Sequence, residues 1–133
     1  MDIAQALEFA RANHHAVLAT AQADGSPQLT PVTVGVDDEA RLVISTLETA
    51  VKTRNLRRTP QAWVCVFTDR FFGEWVHVSG AVEIVSLPGA MEPLVEYYRG
   101  ISGEHPDWDD YRAAMRRDRR CLIRITPTRA GPG

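Results

Sequence analysis

The chain has 133 residues, 44% hydrophobic and 24% charged, with a net charge of −2. That suits one domain around a single core and excludes a nucleic-acid binder of the strongly basic type. No window approaches the run of about 18 apolar residues that spans a bilayer. No basic, apolar leader opens the chain, so the expected location is the cytoplasm.

Ile3, Ala6, Leu7 and Ala10 recur at helical spacing, so residues 2–13 are expected to form a helix with Asp2 as its N-cap. Residues 16–20 are short, apolar and strand-like, and Asp24-Gly25 marks the turn after them. Leu29, Val32, Val34 and Val36 build a second strand, in which Pro31 belongs at an edge or bulge. Residues 37–39 form a polar turn, and Leu42, Val43 and Ile44 carry strand three. Thr59 and Pro60 stop the helix that follows, and residues 62–67 read as a strand buried on both faces. A long strand spans residues 75–85, with Gly80 marking a bulge or a close backbone approach. Met91, Leu94, Val95 and Tyr98 share one face of a third helix. Asp107 caps a fourth, which carries Trp108, Tyr111 and Met115. Residues 119–126 are the last strand, and residues 127–133 a flexible Pro/Gly-rich tail. Cys65 and Cys121 lie in apolar runs without C-x-x-C spacing, so both are expected to be reduced core residues rather than metal ligands.

The basic residues cluster at 52–58 and 116–120, which suits a local anion better than a long polyanion. In the first cluster Thr49 is the expected N-cap, placing Lys52 in the first helical turn. A cation there is unfavourable unless something offsets it, because helix N-termini already carry partial positive charge. Free N–H groups, the hydroxyls of Thr46, Thr49 and Thr53, and the Lys52 ammonium together suit a phosphate. The same residues also read as a solvated basic helix. Six strands, joined mostly by turns too short for parallel crossovers, give a mostly β, antiparallel barrel with about four helices at its ends.

Several blocks resemble one family. They are Val-Leu-Ala-Thr at 17–20, Asp-Gly-Ser-Pro-Gln at 24–28 and Lys-Thr-Arg-Asn-Leu-Arg-Arg at 52–58. Trp75, His77 and Gly80 follow, then residues 98–105, 107–115 and 118–120. This pattern resembles the split-barrel proteins related to pyridoxamine 5′-phosphate oxidase, and within them the actinobacterial branch that uses the deazaflavin coenzyme F420. The resemblance implies a single domain over residues 1–133, folded as a six-stranded Greek-key split barrel, and a homodimer with cofactor sites at the subunit interface. It implies that Val51, Lys52 and Thr53 hold the cofactor phosphate. Gln28, Val32 and Thr33, with Ile44, Ser45 and Thr46, would line the ring system. Trp75 and His77 would approach from the long strand, from the other subunit. Two departures stand out: Ala50 occupies a position where the family often has Arg, and the tail lacks the aromatic residue often found there.

A flavin or deazaflavin supplies its own hydride chemistry, so no protein acid or base is obligatory. His77 is the candidate to bond the ring or protonate a substrate; a core or interface role fits it equally. His14 and His15 read as capping or surface residues and His105 as structural, while Arg119 or Arg120 could reach the acidic tail of the cofactor. No metal cluster, nucleophile elbow, G-x-G-x-x-G or P-loop is present in the sequence. Three readings follow. The first is an F420H2-dependent oxidoreductase acting on a small conjugated or aromatic acceptor. The others are an FMN-binding oxidoreductase of the pyridoxamine-phosphate-oxidase type and a non-catalytic flavin-binding scaffold. The first is preferred.

Overall fold

The computed structural model describes residues 1–132. In chain order the elements are α1 (Ile3–Ala12), β1 (His15–Ala21), β2 (Pro27–Thr33), β3 (Gly35–Val36), β4 (Leu42–Leu47) and α2 (Val51–Arg58). They continue with β5 (Gln61–Phe67), β6 (Trp75–Val85), α3 (Met91–Ser102), α4 (Trp108–Arg117) and β7 (Arg120–Gly131). The strands form one antiparallel sheet in the order β2-β1-β5-β6-β7-β4-β3.

Seven strands replace the six expected, because the second predicted strand divides at Val34. On its N-terminal side β2 pairs with β1, from Pro27↔Ala21 to Thr33↔His15. On its C-terminal side β3 pairs with β4, as Gly35↔Val43 and Val36↔Leu42. The two edges of the sheet are therefore one residue apart in the chain, so the sheet has to curl until its edges meet. Val34 is fully buried at this switch. Its N–H donates to the His14 carbonyl at 2.9 Å, and the His14 Nδ1 lies 2.8 Å from the Val34 carbonyl oxygen.

Inside the curl, alternate residues of the strands meet α1. Leu18, Ile44, Val64, Val78, Ile123 and Ile125 pack there with Ala6, Leu7 and Ala10. Each large aliphatic side chain so buried contributes roughly 1.5–3 kcal/mol. The apolar face of α1 is aimed by a capping box: Asp2 Oδ1 accepts from Gln5 N at 2.8 Å, and Asp2 N donates to Gln5 Oε1 at 2.9 Å. A second cluster lies on the outer side, where Leu94 and Val95 of α3 and Tyr111 of α4 cover Val43 and Leu122.

Three further expectations need correction. β5 is not buried on both faces: Ala62, Val64 and Val66 face the core, whereas Trp63 is 46% exposed. Cys65 shares that outward face and is half-buried, while Cys121 is buried, and both are free thiols. The reason is coverage, since α3 packs on β3, β4 and β7 and leaves the outer face of β5 open. The tail also differs. Residues 127–131 continue β7, with Ala130 opposite Val78 and Gly131 opposite His77. The ladder passes from Ser79↔Arg129 to Gly80↔Pro127, so Thr128 is the extra residue of a bulge, and Pro127 stands where the pairing is already interrupted. The tail expectation also covered Gly133, which lies outside the described residues.

The close approach expected at Gly80 is present. A Cβ there would meet the Thr126 carbonyl oxygen at 2.0 Å, whereas one at Gly100 in α3 would meet nothing within 4 Å. Gly80→Ala should therefore cost about 1–3 kcal/mol through overpacking. Gly100→Ala should instead stabilise by up to about 1 kcal/mol, because a helical glycine carries excess chain entropy. Urea unfolding of the two variants checks both signs.

Candidate functional site

The turn between β4 and α2 is built by buried hydroxyls. Thr53 Oγ1 donates to the Leu47 carbonyl at 2.7 Å and lies 3.2 Å from Thr46 Oγ1. Both threonines are buried, so their hydroxyls hold the turn together rather than face a ligand. Ala50, not Thr49, is the N-cap residue of α2, and no side chain caps the helix. The first backbone N–H groups of α2 are therefore left without a side-chain acceptor, which favours an anion.

The basic run of α2 divides by role. Arg57 donates to Glu48 at 2.6 Å. Arg58 donates to Asn55 Oδ1 at 2.9 Å and to the Ala21 carbonyl at 3.2 Å. Asn55 is itself buried and donates to Thr20 Oγ1 at 3.1 Å and to Gln28 Oε1 at 3.4 Å, tying α2 to β1 and β2. Lys52 has no acidic partner among the described residues. Partial burial holds its ammonium below the usual lysine value, and the neighbouring Arg120 guanidinium pushes it the same way. Arg120 has Asp118 as an acidic neighbour, whose carboxyl Arg117 and, more weakly, Arg120 hold below the usual range, so Lys52 is the cation left to attract an anion.

Lys52 and Arg120 line one cavity of about 690 Å³. Val32 and Thr33 of β2 and Ser45 of β4 also line it, so it opens where the two edges of the sheet meet. Tyr97 and Tyr98 of α3 and Tyr111 and Met115 of α4 form an aromatic wall. The Tyr97 hydroxyl donates to the Thr33 carbonyl at 2.8 Å and that of Tyr111 to the Leu94 carbonyl at 2.7 Å. Burial raises both phenols, Tyr111 to about 12. Tyr98 stacks at 4.9–5.7 Å with His105, Trp108 and Tyr111, so His105 belongs to the wall and accepts from the Asp107 N–H at 2.9 Å.

Of the residues named from sequence, the cavity therefore brings together Val32, Thr33, Ser45, Lys52 and Arg120. Ile44 faces the barrel core and Val51 faces solvent. Trp75 and His77 stand on the outer face of β6, with ring centroids 6.3 Å apart, and neither lines the cavity within one chain. His15, which reads from sequence as a capping or surface residue, and Phe67, which the sequence does not single out, do line it. They face each other across the β1–β5 ladder. The only hint in the sequence is the parity of His15 relative to the core residues Ala16 and Leu18.

The family model described as pyridoxamine 5′-phosphate oxidase matches residues 3–131. Among solved structures, a conserved hypothetical protein from Mycobacterium tuberculosis is similar, with TM-score 0.78 and 26% identity over 98% of this chain and 82% of that one. An F420 reductase superposes with TM-score 0.68 at 23% identity, over 90% of each chain. An FMN-binding protein related to pyridoxamine 5′-phosphate oxidase, from Nostoc punctiforme, has TM-score 0.65 at 19% identity, over 96% of this chain and 79% of that one. The curled antiparallel sheet with four helices is thus the split-barrel fold.

The raised Tyr111 phenol carries a stability consequence. The folded state keeps this proton while the unfolded chain loses it near pH 10, so its contribution is complete below pH 10 and falls away as pH rises to about 12. Tyr111→Phe should flatten the alkaline loss of stability in that window. It should also cost about 1 kcal/mol at neutral pH through the missing bond to Leu94. Urea midpoints measured from pH 7 to 11.5 read both effects.

Proposed function

The chain belongs to the pyridoxamine 5′-phosphate oxidase family, and from that membership we propose that it is an oxidoreductase whose cavity holds a flavin-type cofactor, the deazaflavin coenzyme F420. The observation that carries this reading is Lys52, which has no acidic partner among the described residues, lining one cavity with Arg120, where two cations stand against the single carboxylate of Asp118. The uncapped N-terminus of α2 opens beside Lys52. This donor set fits a phosphate and an acidic tail, and the apolar and aromatic lining fits a flat ring.

Bound there, the cofactor supplies hydride transfer to a small conjugated or aromatic acceptor. The chain's own residues do the rest. Lys52 and the first N–H groups of α2 bind phosphate oxygens, and Arg120 takes the acidic tail. Val32, Thr33 and Ser45 line the ring system. Tyr97 and Tyr111 keep water from that wall, because their hydroxyls are already spent on carbonyl groups. A likeness to an F420 reductase supports the deazaflavin, and an FMN-binding protein is about as similar; what favours the deazaflavin is Arg120, a second cation on the cavity for the acidic tail that FMN lacks.

A homodimer completes the reading. Two rows run across the outer face of the sheet: Leu29, Ala19, Trp63 and Ser79, and then Thr33, His15, Phe67 and Trp75. Leu29 is 66% exposed and Trp75 47%, and the neighbouring loop exposes Phe71 and Phe72. So much contiguous apolar surface is expected to be covered. Because Thr33, His15 and Phe67 line both this face and the cavity, a second copy seated here would close the open side of the site. Its Trp75 and His77 would then sit near the first copy's ligand.

Two measurements test these assignments. Lys52→Ala should weaken F420 binding at least about tenfold, since a charge-assisted contact to phosphate is worth roughly 1.5–3 kcal/mol; unchanged affinity refutes the phosphate site. Trp63→Glu should convert a dimer to a monomer by light scattering, and a wild-type protein that is already monomeric refutes the interface.

A further inference from the structure

Hydride transfer to a conjugated acceptor leaves a negative charge that needs a proton, and we propose that His15, oriented by Asp69, supplies it. This rests on the oxidoreductase reading above. The titratable groups lining the cavity are His15, Lys52, Tyr97, Tyr98, Tyr111, Asp118 and Arg120. Lys52 and Arg120 are the anion-holding cations. The hydroxyl hydrogens of Tyr97 and Tyr111 are committed to the Thr33 and Leu94 carbonyls. Tyr98 is packed into the aromatic wall of α3 and α4. Asp118 is held as a carboxylate by Arg117, which bonds it at 3.1 Å. The imidazole of His15 remains, and imidazole is the side chain that both gives and takes a proton near neutral pH.

Its geometry suits the task. His15 Nδ1 lies 3.2 Å from Asp69 Oδ1, which orients the ring. The opposite nitrogen, Nε2, is left to carry the transferable proton. Asp69 sits on the loop between β5 and β6, a loop shaped by Thr68 Oγ1 donating to the Arg70 carbonyl at 2.8 Å. The Phe67 ring flanks His15 with centroids 6.4 Å apart.

The step balances. With a reduced deazaflavin bound, the cofactor would supply the hydride for one end of the acceptor's double bond and become oxidised, leaving the π electron pair on the adjacent carbon and its carbonyl. The Nε2–H bond of His15 breaks and its proton joins that carbon or oxygen. The neutral imidazole then regains a proton from water before the next turnover.

Nuclear magnetic resonance of the imidazole in the cofactor-free protein, with and without added F420, is combined with kinetics of His15→Gln and Asp69→Asn. F420 should displace the His15 ring signals. His15→Gln should still bind F420 yet turn over about 100-fold more slowly. Asp69→Asn should lower kcat severalfold with KM unchanged, and Asp69→Glu should restore it. Imidazole signals unmoved at saturating F420, or wild-type turnover by His15→Gln, would overturn the assignment while leaving the oxidoreductase reading intact. A wild-type protein that binds F420 but reduces no conjugated acceptor would overturn both.

Discussion

The structure depends on a single-residue connection. β2 and β3 are the two edges of a seven-stranded sheet, yet only Val34 separates them in the chain. A residue spans at most about 3.6 Å of extended chain, so the sheet cannot lie flat and still satisfy this connection. It curls, and the split between its edges becomes the mouth of the cavity. His14 pins the junction twice, once through its backbone and once through its ring nitrogen. A histidine that reads as a surface residue from sequence is thus a closing contact of the barrel.

The chemistry of the cavity follows from that closure. β2 contributes Val32 and Thr33, and β4 contributes Ser45, because curling brings these strands near each other. The turn after β4 then directs α2 so that Lys52 enters the same space, with Thr46 and Thr53 spending their hydroxyls on the turn. β7 delivers Arg120 from the opposite side. Of the arginines of α2, Arg57 is tied to Glu48, and Arg58 to Asn55 and the Ala21 carbonyl. The site therefore sets two cations, Lys52 and Arg120, against one carboxylate, Asp118, in a protein whose net charge is −2.

Much of this was legible in the sequence. The four helices, the Asp2 and Asp107 caps and the close approach at Gly80 follow from local periodicity, cap chemistry and the absence of a Cβ. Lys52, Arg120, Val32, Thr33 and Ser45 were identified through block resemblance and do share a cavity. What escaped was non-local. Nothing in the run from Leu29 to Val36 shows that its halves serve opposite edges. Thr128 is invisible as a bulge because the extra residue is defined only by the register against β6. His15 and Phe67 acquire their position through β1–β5 pairing, and the aromatic wall through α3 and α4 packing on a sheet that is distant in sequence. The open face of β5 depends on where helices are missing, which no apolar run reports.

We propose that an excess of cations over carboxylates in a split-barrel cavity selects a cofactor with both a phosphate and an acidic tail. Parallel fluorescence titrations of the purified protein with F420 and with FMN test it most directly. The account predicts a dissociation constant for F420 at least about tenfold lower than for FMN, a difference of about 1.4 kcal/mol. Tighter binding of FMN, or millimolar binding of both, would contradict it.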